Sequence, residues 1–187
     1  MKKISTLFLK DPTNLSRVID EIDPSNQWVL THGIATRKYD GTACAIINNE
    51  LYKRYDVKNS KRVPDGAIPC QEADTITGHH PHWVKVTSSD KYHLEGLANS
   101  KHLDLSDGTY ELVGPKVQSN PDKFSQHTLV PHGTYVLTDL LNLSFDGIRE
   151  YLINHQYEGI VFHHKNTLTD GRMCKIRRKD FDLKWPV

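Results

Sequence analysis

Arg37-Lys38-Tyr39-Asp40-Gly41-Thr42-Ala43-Cys44-Ala45-Ile46-Ile47-Asn48-Asn49-Glu50-Leu51-Tyr52-Lys53-Arg54-Tyr55 is the stretch on which the fold turns. Ala43–Ile47 and Glu50–Tyr55 are short runs rich in β-branched, aromatic and aliphatic side chains. Between them stands Asn48-Asn49, and asparagine tolerates the positive φ that a two-residue turn requires, so the segment predicts a tight β-hairpin. Immediately before its first strand lies Lys38-Tyr39-Asp40-Gly41. A Lys-x-Asp-Gly pattern arises by chance in a few per cent of chains this long, and taken alone it reads equally well as a turn in which Asp-Gly supplies the bend.

Outward from this hairpin, strands predominate. Residues 109–113 and 134–138 have strand character, as do 159–163 and 172–177 near the end of the chain. A helix is expected at 145–154, with Ile148, Leu152 and Ile153 on one face. Leu15, Val18, Ile19 and Ile22 recur at helical spacing behind Asp11-Pro12, which predicts a capped helix over that segment. Residues 61–90, rich in Pro, Gly and His, read as an irregular excursion. The expected class is α+β, with mainly antiparallel sheets and a few helices. With 187 residues and no linker or repeat, the chain is expected to form a single domain over residues 1–187.

Composition narrows the functional classes. A content of 37% hydrophobic and 25% charged residues is that of an ordinary soluble protein. No apolar run approaches the length of a membrane span, and the start of the chain lacks a signal peptide's apolar stretch. Three scattered cysteines, Cys44, Cys70 and Cys174, suit free thiols in a reducing compartment, so a cytoplasmic or nuclear, non-secreted protein is expected. The net charge of +1 argues against indiscriminate polyanion binding. It conceals two basic stretches, however: Lys53, Arg54, Lys58, Lys61 and Arg62, and then Arg172, Lys175, Arg177, Arg178, Lys179 and Lys184. These form either a phosphate track or two solvated faces. His79-His80-Pro81-His82-Trp83 lacks the spacing of a zinc pair and reads as a loop that touches a bound partner or packs on Trp83.

Further chemistry-bearing residues follow the lysine in a fixed order. Glu111 is a carboxylate within Thr109-Tyr110-Glu111-Leu112-Val113-Gly114-Pro115, and Glu158 stands likewise in Tyr157-Glu158-Gly159-Ile160-Val161-Phe162. Lys175-Ile176-Arg177 alternates two cations with an apolar residue, so a strand would aim both at one face. The ordered set resembles the motifs of the covalent nucleotidyltransferases, a superfamily of ATP-dependent RNA and DNA ligases and mRNA capping enzymes, across residues 36 to 178. Lys53–Lys58, Ile68–Glu72, Thr77-Gly78-His79, Tyr110–Lys116 and Lys179–Pro186 look like segments of the RNA ligase 1 family within it.

The resemblance implies an ATP-grasp-like adenylation domain and an ATP-dependent RNA ligase that joins 5′-phosphate and 3′-hydroxyl RNA ends. Lys38 would be the nucleophile that carries AMP, and Glu158 the ligand of a Mg²⁺ or Mn²⁺ ion. Lys175 and Arg177 would screen phosphate charge and favour the neutral amine that attacks. Asp40 and Gly41 would hold and accommodate the lysine loop, Glu111 would contact the ribose, and Arg54 a phosphate or the 3′-side nucleotide. The expected partners are ATP and RNA ends or nicked RNA, with the chain acting as a monomer. A minimal DNA nick ligase and a non-catalytic RNA-binding module are the alternatives. Only ten residues follow Arg177, so the OB-fold that capping enzymes use is not expected. The chain departs from the pattern at Thr36, where many ligases carry a glutamate that reads adenine, and at Thr138, where an aromatic often stacks on the base. Tyr135 and Phe124 are the candidates for that stacking.

Overall fold

The computed structural model describes residues 4–57, 62–73, 78–166 and 171–186. In chain order the strands are β1 (Ser5–Thr6), β2 (Phe8–Asp11), β3 (Asn14–Ile22), β4 (Gly33–Lys38), β5 (Thr42–Ile47), β6 (Glu50–Val57), β7 (Ile68–Pro69), β8 (His80–Lys85), β9 (Gly108–Val113), β10 (Thr128–Pro131), β11 (Gly159–His164) and β12 (Met173–Arg177). The helices are α1 (Val29–His32), α2 (Lys91–Asn99) and α3 (Phe145–Asn154). The class is α+β with mostly antiparallel sheets, and the chain divides into two compact units.

The first unit runs from Asp40 to His132 around an antiparallel six-stranded sheet of order β10-β9-β5-β6-β8-β7. The expected hairpin is its centre: Ile47 pairs with Glu50, and Asn48 and Asn49 both have φ near +55° (51° and 62°). Residues paired across a ladder share a face. One face carries Cys44, Ile46, Leu51, Tyr110, Leu112 and Leu129, and it is closed by α2, whose Leu97 packs into this core. The opposite face carries Glu111, Ala43, Arg54 and Trp83 along one line. His80–Lys85 is a strand paired with β6 rather than part of an irregular excursion. His82 is buried there, with its Nδ1 at 2.8 Å from the His80 carbonyl. Lys58 and Lys61 of the first basic stretch, and Thr77, lie outside the described residues.

The second unit combines residues 4–39 with those from Gly133 onward. Its four-stranded sheet has the order β1-β12-β11-β4, antiparallel except where β1 joins β12, and β2 and β3 form a separate hairpin. That hairpin replaces the helix expected over 15–22. The Asp11 carboxylate accepts from the backbone N–H of Thr13 (2.8 Å) and from its hydroxyl (2.6 Å). Pro12-Thr13 thereby turns the chain instead of starting a helix. Of the helically spaced residues only Val18 is fully buried, while Leu15 is 72% exposed. Residues 134–138 form no strand; they follow β4 through an isolated bridge between Thr36 and Val136.

The core of this unit contains Ile160, Phe162, Cys174 and Ile176 from one sheet face, together with Ile148 and Leu152 of α3 and an edge-to-face cluster of Phe8, Phe145 and Phe181. Ile153 points outward, at 47% exposure. The start of α3 is capped by Ser144, whose hydroxyl accepts from the Gly147 N–H. Its end is capped by Arg178. This buried guanidinium donates to the Leu152 carbonyl, to His155 O (3.0 Å) and to Lys184 O (2.8 Å). Carbonyls in a helix's last turn lack partners within the helix and favour a cation, so Arg178 serves the fold. It is not a solvated member of the second basic stretch. Among the described residues no helix is long and apolar enough to cross a membrane.

Candidate active site

Lys38 is the last residue of β4, and the ladder fixes what stands beside it. Lys38 pairs with Gly159, and Gly159 on its other side pairs with Arg177. In the adjacent row Thr36 pairs with Val161, and Val161 with Lys175. Lys38, Lys175 and Arg177 therefore emerge from the face of the sheet opposite the apolar core, as the Lys-Ile-Arg alternation predicts. Only glycine separates Lys38 from Arg177. A Cβ at Gly159 would lie 2.3 Å from the Ile176 carbonyl oxygen, so no other residue fits there without displacing β12.

Glu158 immediately precedes β11 rather than lying inside it. Its carboxylate is ion-paired with Lys38 Nζ, and both side chains are largely buried, at 23% exposure for the lysine and 13% for the glutamate. The Lys38 ammonium also donates to its neighbour's carbonyl, Tyr39 O, at 3.3 Å. Lys175 has its pKa pushed down to about 8, first by burial and then by the charges of Arg177 and Lys38. Three cations and two carboxylates, Glu158 and Asp180, thus crowd a small area, a clustering found at functional sites and in structural ion-pair networks alike.

Arg177 is held by Asp180, which is fully buried. The guanidinium donates through Nε to Oδ2 (3.0 Å) and through Nη2 to Oδ1 (2.9 Å), and the Arg177 backbone N–H donates to Oδ2 as well (2.9 Å). Lys10, from β2, completes the cluster at 2.7 Å from Oδ1. Burial by itself raises the carboxyl's pKa, but the bonds from Arg177 and Lys10 outweigh it and keep the group below the usual carboxylate range.

The other candidates lie in the first unit. Gly41 sits against β9: a Cβ there would approach Leu112 O to 2.3 Å and Glu111 Cγ to 2.7 Å. The Asp40 N–H donates to the Asp122 carboxylate at 3.0 Å. Glu111 receives His132 Nε2 at 2.8 Å, while His132 Nδ1 lies 3.0 Å from Thr109 Oγ1. On the same face, Arg54 approaches Asp56 at 3.7 Å. The second unit accordingly brings together Lys38, Glu158, Lys175 and Arg177, and the first aligns Gly41, Glu111 and Arg54 on one sheet.

Thr36, standing where an adenine-reading glutamate is common, is 2% exposed and donates its hydroxyl to Val161 O at 3.0 Å. Tyr135 lies against Tyr157 and near the Arg37 guanidinium, on the side of β4 away from Lys38. Phe124 is half-buried in a loop of the first unit, with its N–H bound by Asn120 Oδ1. Sequence reading missed Lys10, Asp180 and His132. Asp180 had one local signal, its spacing three residues after Arg177; Lys10 and His132 had none. Among the described residues no group of three or more His, Cys, Asp or Glu side chains could cage a metal ion.

A mostly antiparallel α+β chain thus sets an ion-paired lysine beside two further cations on one sheet face. The sequence model of the RNA ligase 1 family matches residues 85–187, more than half of the chain, and the chain belongs to that family. The matched region includes Glu111, Glu158, Lys175 and Arg177, while Lys38 precedes it. RNA ligase 1 of Rattus norvegicus is 25% identical, over 83% of this chain and 69% of the rat protein. RNA ligase 1 of Mus musculus is 24% identical over the same shares. RNA ligase 1 of Danio rerio is 34% identical, over 56% of this chain and 33% of the zebrafish protein.

Proposed function

We propose that this RNA ligase 1 family chain is an ATP-dependent ligase with a nucleotidyltransferase fold, joining a 5′-phosphate RNA end to a 3′-hydroxyl RNA end. The observation that carries the reading is the Lys38–Glu158 ion pair, set beside Lys175 and Arg177 on one sheet face.

In the first step Lys38 Nζ attacks the α-phosphorus of ATP. The N–P bond forms, the bond from that phosphorus to the bridging oxygen breaks, and pyrophosphate leaves. Glu158 holds Nζ in place and is the adjacent base that takes its proton. Lys175 and Arg177 offset the charge that develops on the phosphoryl oxygens. The RNA 5′-phosphate next displaces Lys38 from AMP, and a 3′-hydroxyl then displaces AMP from the activated end. Each step is a displacement at phosphorus, in which positioning and charge neutralisation do most of the work.

Mg²⁺ is bound in such sites by one or two carboxylates and the substrate's own phosphates, so a single Glu158 carboxylate next to the nucleophile fits that ion better than a caged one. When bound, the ion would supply further neutralisation of the phosphate charge. Glu111, steadied by His132, is the acceptor assigned to the ribose, and Arg54 is assigned to the RNA strand. Since the Thr36 hydroxyl is spent on Val161 O, base selection falls to other groups.

Incubation with α-labelled ATP and Mg²⁺, followed by denaturing electrophoresis, tests the reading. Wild type should become labelled, with ATP preferred over GTP, and Lys38→Ala should take up none. Labelling of Lys38→Ala at the wild-type level would overturn the assignment. Absence of label from the wild type would leave a non-catalytic RNA-binding module. Sealing of an all-DNA nick as fast as its RNA counterpart would make the chain a DNA ligase, because discrimination through the 2′-hydroxyl would be missing.

A further inference from the structure

The second basic stretch does not stay together in the fold. Arg178 caps α3, and the guanidinium of Arg172 lies 5.7 Å from the Trp28 ring. Lys175 stays in the row beside Lys38, and Arg177, Lys179 and Lys184 gather elsewhere. Lys10, Arg177, Lys179 and Lys184 line one open cavity of about 600 Å³, together with Leu15, Leu183, Ser16 and Asp182. Four cations thus converge from the N-terminal hairpin, the end of β12 and the segment beyond it.

The charge balance leaves this cavity positive. Asp180 is shared by Lys10 and Arg177, so one buried carboxylate serves two cations. Asp182 at the rim lies 3.7 Å from Arg17, which Asp11 binds more closely at 2.7 Å, so with Arg17 counted the cations still outnumber the carboxylates. Lys179 and Lys184 are exposed, and their ammonium groups have no ion pair among the described residues. Leu15, 72% exposed on the hairpin, and Leu183 add apolar wall, a lining suited to a ligand that carries a sugar or base behind its charge. Arg177 belongs both to this cavity and to the row that contains Lys38. Arg177 therefore links the row of the proposed nucleophile to the cavity.

We infer that this cavity is a binding site for a terminal phosphate group on a nucleotide or RNA chain. Its size exceeds what an isolated phosphate fills and suits a phosphorylated nucleotide. Two sources share that chemistry: the 5′-phosphate end of RNA and the polyphosphate tail of ATP. The inference depends on the proposed ligase reaction only in choosing between them.

The double variant Lys179→Ser/Lys184→Ser removes two exposed cations without touching Lys38, Glu158, Lys175 or Arg177, and Lys179→Arg/Lys184→Arg keeps the charge. A 3′-fluorescent RNA ending in a 5′-phosphate, and the same RNA ending in a 5′-hydroxyl, are titrated by anisotropy without ATP. Wild type should bind the phosphorylated RNA more tightly. The serine variant should lose that preference, with affinity falling on the order of tenfold at low salt. Its slope of log affinity against log salt should shrink by about 0.7 for each phosphate contact removed. The arginine variant should retain both. In a second arm, protection against thermal unfolding by inorganic tripolyphosphate and the KM for ATP in Lys38 labelling are compared. Lost protection and a raised KM, with the RNA preference intact, would assign the cavity to the ATP tail. If neither the RNA preference nor tripolyphosphate protection changes in the serine variant, the cavity is not a phosphate site. A phosphate preference that the serine variant loses, in a protein that never labels, would support the cavity while refuting the ligase chemistry.

Discussion

Replacing Lys175 by methionine separates what the site costs the fold from what it contributes to chemistry. The lysine is largely buried beside Arg177 and Lys38, and its pKa falls from 10.5 to about 8. At 1.36 kcal/mol per pH unit, the penalty for keeping it charged is roughly 3 kcal/mol, and screening by the solvent that reaches the site lowers this to about 1–2 kcal/mol. Methionine matches the lysine stem in length and needs no charge solvated. Lys175→Met should therefore be more stable than wild type by about 1–2 kcal/mol at pH 7, while labelling of Lys38 falls sharply. The pH dependence gives the sign. Between about 8 and 10.5 the unfolded lysine keeps a proton that the folded one has released, so wild-type stability climbs with pH through that window. Below it both states are protonated and the penalty is complete. The advantage of Lys175→Met should accordingly be largest at pH 7 and shrink towards pH 10, read from urea midpoints of the two proteins side by side. A methionine variant no more stable than wild type at pH 7, or one whose advantage is the same at pH 10, would refute the reasoning.

Three other substitutions probe the surrounding frame. Gly41→Ala drives a methyl against the Leu112 backbone carbonyl, which cannot give way as a flexible side chain would, and should lower stability by about 1–3 kcal/mol in urea titration. Asp180→Asn leaves Arg177 and Lys10 without their shared anion and should cost about 3–5 kcal/mol, with labelling by ATP impaired as well. Because the folded Asp180 carboxyl is depressed, its contribution is complete above the usual carboxylate range and disappears on acidification, so the variant should lack part of the wild type's acid transition. Arg54→Ala should leave Lys38 labelling near wild type yet slow the sealing of a pre-adenylylated RNA; equal sealing rates would make Arg54 a surface charge only.

Local chemistry was legible in the sequence, and distant juxtaposition was not. The Asn48-Asn49 turn, strands β11 and β12, and the Ile148–Leu152 face of α3 follow from turn residues and periodicity alone. The hairpin at Phe8–Ile22 was misread because Leu15, Val18, Ile19 and Ile22 satisfy helical spacing while the Asp11 side chain, a turn-former, determines the outcome. Helix α2 escaped notice because Gly96, poor in helix propensity, stands near its middle; the glycine is what brings the helix close to Leu112. The same division holds for the site. Lys38, Glu158, Lys175 and Arg177 were readable as an ordered set. Asp180 also binds Lys10, 170 residues away in the chain, and His132 reaches Glu111 across a ladder that no periodicity announces.

Arg178 has a dynamic consequence. Its guanidinium joins the last turn of α3 to the carbonyl of Lys184, and its own backbone N–H donates to Glu158 O at 2.9 Å. Fraying of the helix end, release of the C-terminal segment and slackening of the backbone at Glu158 would all break bonds of this one residue. Such coupling gathers a helix end, a tail and a loop into one cooperative unit, so their amides should exchange with solvent through a common opening. The carboxylate beside Lys38 is then only as steady as the helix on the other side of the sheet.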